Sequence, residues 1–145
     1  MSEPASTLNE ALERSRAAVA GVINGDPRPI HALYSNAEDV TLGNPFGPFV
    51  RGRQAVEETT AAAAARYRDG ELRDFERLAC HESAGLACVV EIERFVAKLG
   101  DSSEPAEVSI RVTSVFRLED RSWRLVHRHA DPITTARDVA SLTAG

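Results

Sequence analysis

Residues 108–131, VSIRVTSVFRLEDRSWRLVHRHAD, alternate apolar and polar side chains on either side of Glu119-Asp120-Arg121-Ser122. Period-two alternation around a short polar stretch marks an antiparallel hairpin. With those four residues as the loop, Leu118 faces Trp123, and the register runs on through Phe116 opposite Leu125, Ser114 opposite His127 and Val112 opposite His129. One face then holds Val108, Ile110, Val112, Ser114, Phe116, Trp123, Leu125, His127, His129 and Asp131. The other holds Arg111, Thr113, Arg117, Arg124, Val126 and Arg128. An oily face set against an arginine-rich one argues for this register, because a one-residue slip would bury at least three arginines and expose Phe116 and Leu125.

Two further β segments precede the hairpin, Glu71 to Glu82 and Leu86 to Leu99, and the hairpin itself spans Ala106 to Pro132. The same parity gives Cys88, Val90, Ile92 and Arg94 to the oily side and sends Glu91 and Glu93 towards the arginines. The first half of the chain reads as helical. Thr7 and Glu10 form a capping box, Leu8, Leu12, Ser15, Val19, Val22 and Ile23 trace one helical face, and Gly25 ends the run. Asp26-Pro27 opens a short second helix carrying Ile30, Leu33 and Tyr34. Asp39 to Gly43 reads as a strand, closed by Asn44-Pro45-Phe46-Gly47-Pro48 because proline lacks a ladder donor. Arg53 to Arg68 is a third helix, stopped by Asp69-Gly70. The order predicts one α+β domain, with a core over about residues 7–133 and a short helix or tail over 134–145.

The chain has 145 residues, enough for one domain with its own core. Seventeen Lys and Arg against 22 Asp and Glu leave a net charge of −5 with no basic block, which argues against nucleic acid as a partner. No apolar run approaches the ~20 residues of a membrane helix, so no membrane partner is expected. Met1-Ser2-Glu3-Pro4 does not open a secretory signal, and a cytoplasmic location is expected. Cys80 and Cys88 are expected to be reduced thiols there.

On this register an apolar interior carries Arg94, Ser114, His127, His129 and Asp131 towards one end. Such a cluster suggests a cavity, since pockets combine apolar walls with a few convergent polar groups. His127 and His129, about 6–7 Å apart on a strand, are suited to proton transfer at pH 7, with Asp131 orienting one imidazole. Each could equally be a buried histidine satisfied by a neighbour such as Ser114. The three could also be read as metal ligands, but alternate positions on one strand rarely converge on an ion, and no metal is expected. Arg94 would grip a carboxylate or carbonyl, or else pair internally with Asp131 or Glu57. Tyr34 could donate a hydroxyl, and Trp123 and Phe116 would wall the hollow.

Three stretches carry a resemblance: Asp39 to Gly47 running on to Arg51-Gly52, Ile110 to Thr113, and Trp123 to Asp131. Together they resemble the SnoaL-like branch of the nuclear transport factor 2 superfamily. The resemblance implies a cone-shaped, cystatin-like α+β fold, with three helices packed into a strongly curved, mixed but mainly antiparallel sheet. It also implies homodimers paired through the outer sheet face. The tryptophan and paired histidines resemble those of polyketide-cyclase-like proteins and of a calcium/calmodulin-dependent kinase association domain. Asn44 stands where ketosteroid isomerases carry an aspartate base before a proline, and an amide cannot abstract a proton, so steroid isomerisation is not expected. Asn44 could still orient a water or a carbonyl. The implied function is binding of a small organic molecule with a carbonyl or carboxylate, without a cofactor, with isomerase, cyclase or hydratase chemistry by His129 and His127. The alternative is a non-catalytic homodimeric binding or oligomerisation module, since this scaffold hosts both.

Overall fold

In the computed structural model, which describes residues 6–143, three helices cover one face of a six-stranded sheet. The helices are α1 (Leu8–Val22), α2 (Arg28–Leu33) and α3 (Arg53–Ala64). The strands are β1 (Thr41–Gly43), β2 (Val50–Arg51), β3 (Tyr67–Ser83), β4 (Leu86–Leu99), β5 (Pro105–Glu119) and β6 (Ser122–Asp131). Their spatial order is β2-β1-β6-β5-β4-β3, all antiparallel except the β1–β6 pair. The α+β class and the mixed, mainly antiparallel sheet are as the sequence predicts. No helix among the described residues is long and apolar enough to cross a membrane.

The Thr7 hydroxyl accepts from the Glu10 N–H, and the buried stripe of α1 includes Leu8, Leu12, Ser15 and Val19. The third helix stops at Ala64 rather than Arg68, and β3 begins at Tyr67 rather than Glu71. Packing overrides propensity here, because the Tyr67 ring lies edge-on to Phe95 with centroids 5.6 Å apart. Asp69-Gly70 is a bulge inside β3, with Asp69 at φ 53°. There β3 presses on the end of α1: a Cβ on Gly70 would lie 2.4 Å from Ile23 Cγ1 and 2.5 Å from its carbonyl oxygen. Asn24 clamps the crossing, donating to the Gly70 carbonyl and accepting its N–H, both at 3.0 Å. Residues 139–142 form a 3-10 turn in the expected tail, whose last two residues lie outside the described residues.

The hairpin pairs Leu118 with Trp123 and Phe116 with Leu125, as expected. Beyond Leu125 the expected register is overturned, because Val126 is an unpaired extra residue and Val115, not Ser114, faces His127. A bulge of one residue turns every later side chain of the strand to the other face. Arg128 and Ala130 therefore point to the helices, and His127, His129 and Asp131 point to the open face. The expected parity of β4 is overturned too. Val89 pairs with Ser114 and Glu93 with Ile110, so Ala87, Val89, Glu91, Glu93, Phe95 and Ala97 share the helix side. Arg94 lies on the open side, bound to Asp74 and Glu76.

Gly70→Ala is expected to cost about 1–3 kcal/mol, since the methyl cannot enter without moving Ile23 or the strand. Thermal unfolding followed by circular dichroism checks it. An unchanged midpoint would mean that β3 does not bear on the end of α1.

Candidate functional site

Between the helices and the sheet lies a cavity of about 70 Å³. That is room for roughly five waters at the ~10–15 Å³ each requires. Its walls are apolar, from Val19, Val22, Ile23, Ile30, Leu42, Pro45, Phe46, Ala63, Phe95, Ile110 and Ala130, and its polar groups are Tyr34, Asn44, Thr60, Tyr67, Glu93 and Arg128. Each comes from a definite place in the fold. Tyr34 closes α2, Asn44 follows β1, Thr60 lies on α3, Tyr67 opens β3, and Glu93 and Arg128 project from β4 and β6 across the width of β5.

Arg128 and Glu93 form a two-pronged pair, Nη2 to Oε1 at 2.8 Å and Nη1 to Oε2 at 3.0 Å. Their side chains are 12% and 3% exposed, so both charges are withdrawn from water. Burial works against the Arg128 charge, yet the attraction and hydrogen bonds of Glu93 outweigh it and hold its pKa above the usual guanidinium value. A guanidinium has five N–H donors. With two spent on Glu93, Arg128 retains donors for a further acceptor.

Both tyrosines stay protonated at neutral pH. Burial raises Tyr34, against opposing charges on Arg128 and Arg53, and its hydroxyl donates to the Thr41 carbonyl at 3.2 Å. Burial likewise raises Tyr67, with Arg128 opposing and Glu93 reinforcing the shift. No side chain or backbone group among the described residues hydrogen-bonds the Tyr67 hydroxyl, so it has both a proton and lone pairs to offer. The Asn44 Oδ1 accepts from the Phe46 N–H at 3.0 Å, leaving its NH2 to face other partners.

Of the residues expected from sequence, Tyr34 and Asn44 line this cavity. Ser114, Phe116 and Trp123 are buried on the helix-covered face but do not line it; Phe116 and Trp123 belong to the core beside α1 and α2. His127, His129, Asp131 and Arg94 lie across the sheet. There the Thr41 hydroxyl and His127 Nδ1 are 2.7 Å apart, and Asp131 Oδ2 meets His129 Nε2 at 3.1 Å and Arg111 at 2.8 Å. Burial, then the neighbouring His129, lowers the His127 pKa from 6.5. Burial alone would raise the Asp131 carboxyl, but its hydrogen bonds from Arg111, Ile133 and His129 hold it low. The sequence reading missed Arg128, Glu93, Tyr67, Thr60 and Phe46. One signal was present: alternation breaks at Leu125-Val126, two adjacent apolar residues, both buried, as at a bulge.

The sequence pattern of the SnoaL-like domain family matches residues 12–134, and the chain belongs to that family. Solved structures agree with it in fold. A nuclear transport factor 2-like superfamily protein from Salmonella enterica superposes with a TM-score of 0.76 at 18% identity, over 90% of this chain and 93% of that one. A protein assigned as a calcium/calmodulin-dependent protein kinase type II association domain, from Thiobacillus denitrificans, gives 0.70 at 23% identity, over 90% and 98%. One assigned as a dehydratase of the same superfamily, from Streptomyces avermitilis, gives 0.69 at 20%, over 88% and 96%. No curated protein matches the sequence significantly.

Removing either member of the buried pair strands the other, at about 3–5 kcal/mol. Arg128→Met and Glu93→Leu are each expected to lose that much in urea unfolding, and the double variant to recover most of it. A double variant as unstable as the sum of the singles would show that the pair is not a closed electrostatic unit.

Proposed function

We propose that this chain binds a small, uncharged, predominantly apolar molecule carrying a carbonyl or hydroxyl oxygen, seated against Arg128. The observation that carries this reading is the closed Arg128–Glu93 pair in a cavity whose walls are mostly apolar and whose other polar groups are neutral. A carboxylate ligand would gain the guanidinium but meet the Glu93 charge beside it, in a medium where like charges repel strongly. A neutral oxygen meets no such penalty and accepts from the donors that Glu93 leaves vacant. Apolar walls supply the affinity and the pair supplies the orientation. The dehydratase assignment of the Streptomyces avermitilis neighbour is consistent with a small organic ligand.

The isomerase, cyclase or hydratase chemistry expected of the histidines moves, on this reading, to other groups. Arg128 would polarise the ligand oxygen, Glu93 would accept a proton and the free Tyr67 hydroxyl would donate one. The bidentate pairing of Glu93 favours binding without turnover, because the carboxylate must loosen a charge-assisted bond before it can accept a proton.

Calorimetric titration with cyclohexanone and with cyclohexanecarboxylate tests the ligand class. The ketone should bind at least tenfold more tightly, and Glu93→Gln, which frees the guanidinium charge, should reverse the order. Carboxylate preference in the unaltered protein, or binding of neither, would overturn the proposal.

The reading extends to a homodimer paired through the open sheet face, in the cytoplasm. That face presents Thr113 and Val115 between the Arg111–Asp131 pair and the β4 side chains. Light scattering is expected to return twice the chain mass of 15.7 kDa, and Thr113→Arg to halve it. A monomer in the unaltered protein would exclude the dimer.

A further inference from the structure

Beyond the cavity lies a larger groove of about 350 Å³, and the two share Leu42, Asn44, Phe46 and Ala63 as walls. Phe46 is the exposed one among them. Its ring sits 5.9 Å from Tyr67 on the cavity side and carries the Arg66 guanidinium 4.8 Å above its centre. The loop that bears it is braced through Asn44, whose side chain accepts from the Phe46 N–H and whose carbonyl accepts from the Gly47 N–H. On the groove side Pro48, Phe49, Val50 and Ala62 add apolar wall beside the polar Glu58, Thr59 and Arg66, and Phe46 and Phe49 are 44% and 57% exposed.

We infer that the groove is an outer subsite of the same binding site, and that the ligand is an amphiphile. Its oxygen-bearing head lies at Arg128 and its unbranched apolar tail passes Phe46 into the groove. The inference rests on the proposed head-group reading and adds the tail. Three observations converge on it. The inner cavity is too small for more than a ring or a short chain. The groove begins at the wall where the cavity ends, so one molecule can occupy both. Of the four side chains the two share, Phe46 alone is exposed and sits on a loop, held by the aromatic contact and by the cation over its ring. A tail that buries Phe46 and Phe49 on passing offsets the loss of those contacts.

A homologous series of methyl ketones, 2-butanone to 2-decanone, titrated calorimetrically, separates the two subsites. In the unaltered protein affinity should rise about fourfold per methylene along the whole series, as burial of each CH2 requires. Ala62 lines the groove alone, so Ala62→Trp should leave 2-butanone binding unchanged and level the series off beyond 2-hexanone. Phe49→Ala, at an exposed site outside both core clusters, should lose part of the gain for 2-octanone and 2-decanone only. Short ketones that bind with no length dependence, or a full gain retained in Ala62→Trp, would overturn the outer subsite while leaving the head-group reading standing. Failure of the whole series, short members included, sinks both.

Discussion

Val126 stands between two ladders. Below it, Trp123 and Leu125 meet β5 in hairpin register; above it, residues 127–131 meet β5 one position out of step, and 127–129 gain β1 as a parallel neighbour. The bulge lies where the edge of β6 changes partner, from the Tyr34 bridge at Leu125 to β1 at His127. Side chains in a strand alternate, so one extra residue decides that a guanidinium rather than two imidazoles faces the helices. The polar content of the cavity follows from that choice, and so does the role of Glu93, which would otherwise be an uncompensated buried carboxylate.

Buried charge is tolerated here because it is closed on itself. Glu93 uses both oxygens on Arg128, and Glu91, two residues back on the same face, takes Arg16 from α1 at 3.2 Å and Arg77 from β3 at 2.9 Å. Each carboxylate brings its cation from a different element, so the pairs also fix how those elements sit against one another. A buried ion pair adds little net stability, but losing one partner is expensive, and the arrangement resists partial change.

The pattern of elements was legible because it rests on local signals: the capping box at Thr7, the proline-broken loop after Gly43, and the polar turn at residues 119–122. The sheet faces were legible only in part. On β5 the oily side of Ile110, Val112, Ser114 and Phe116 is the side the fold buries. On β4 both parities are apolar, Val89 and Phe95 on one and Val90 and Ile92 on the other, so charge was left to decide. Charge decided the side wrongly, because the arginine-rich face is read as the outer one, while Glu93 meets Arg128, and Glu91 meets Arg16 and Arg77, on the buried side. The parity read from sequence already sets Glu93 and Arg128 on one face, and they do pair; the β6 bulge and the β4 register decide that this face is the helix-covered one.

Asn44 shows how one position can serve shape rather than chemistry. An aspartate there could take a proton from a ligand; an amide cannot, and its oxygen is already committed to the Phe46 N–H. The side chain therefore shapes the loop that sets Phe46 between cavity and groove, while its free NH2 adds a weak neutral donor to the wall. The strongest polar group left in the cavity is the Arg128–Glu93 pair, with Tyr67 beside it. On the proposed reading, a site so built distinguishes ligands by the charge on their oxygen, by where that oxygen falls and by how much apolar length follows it.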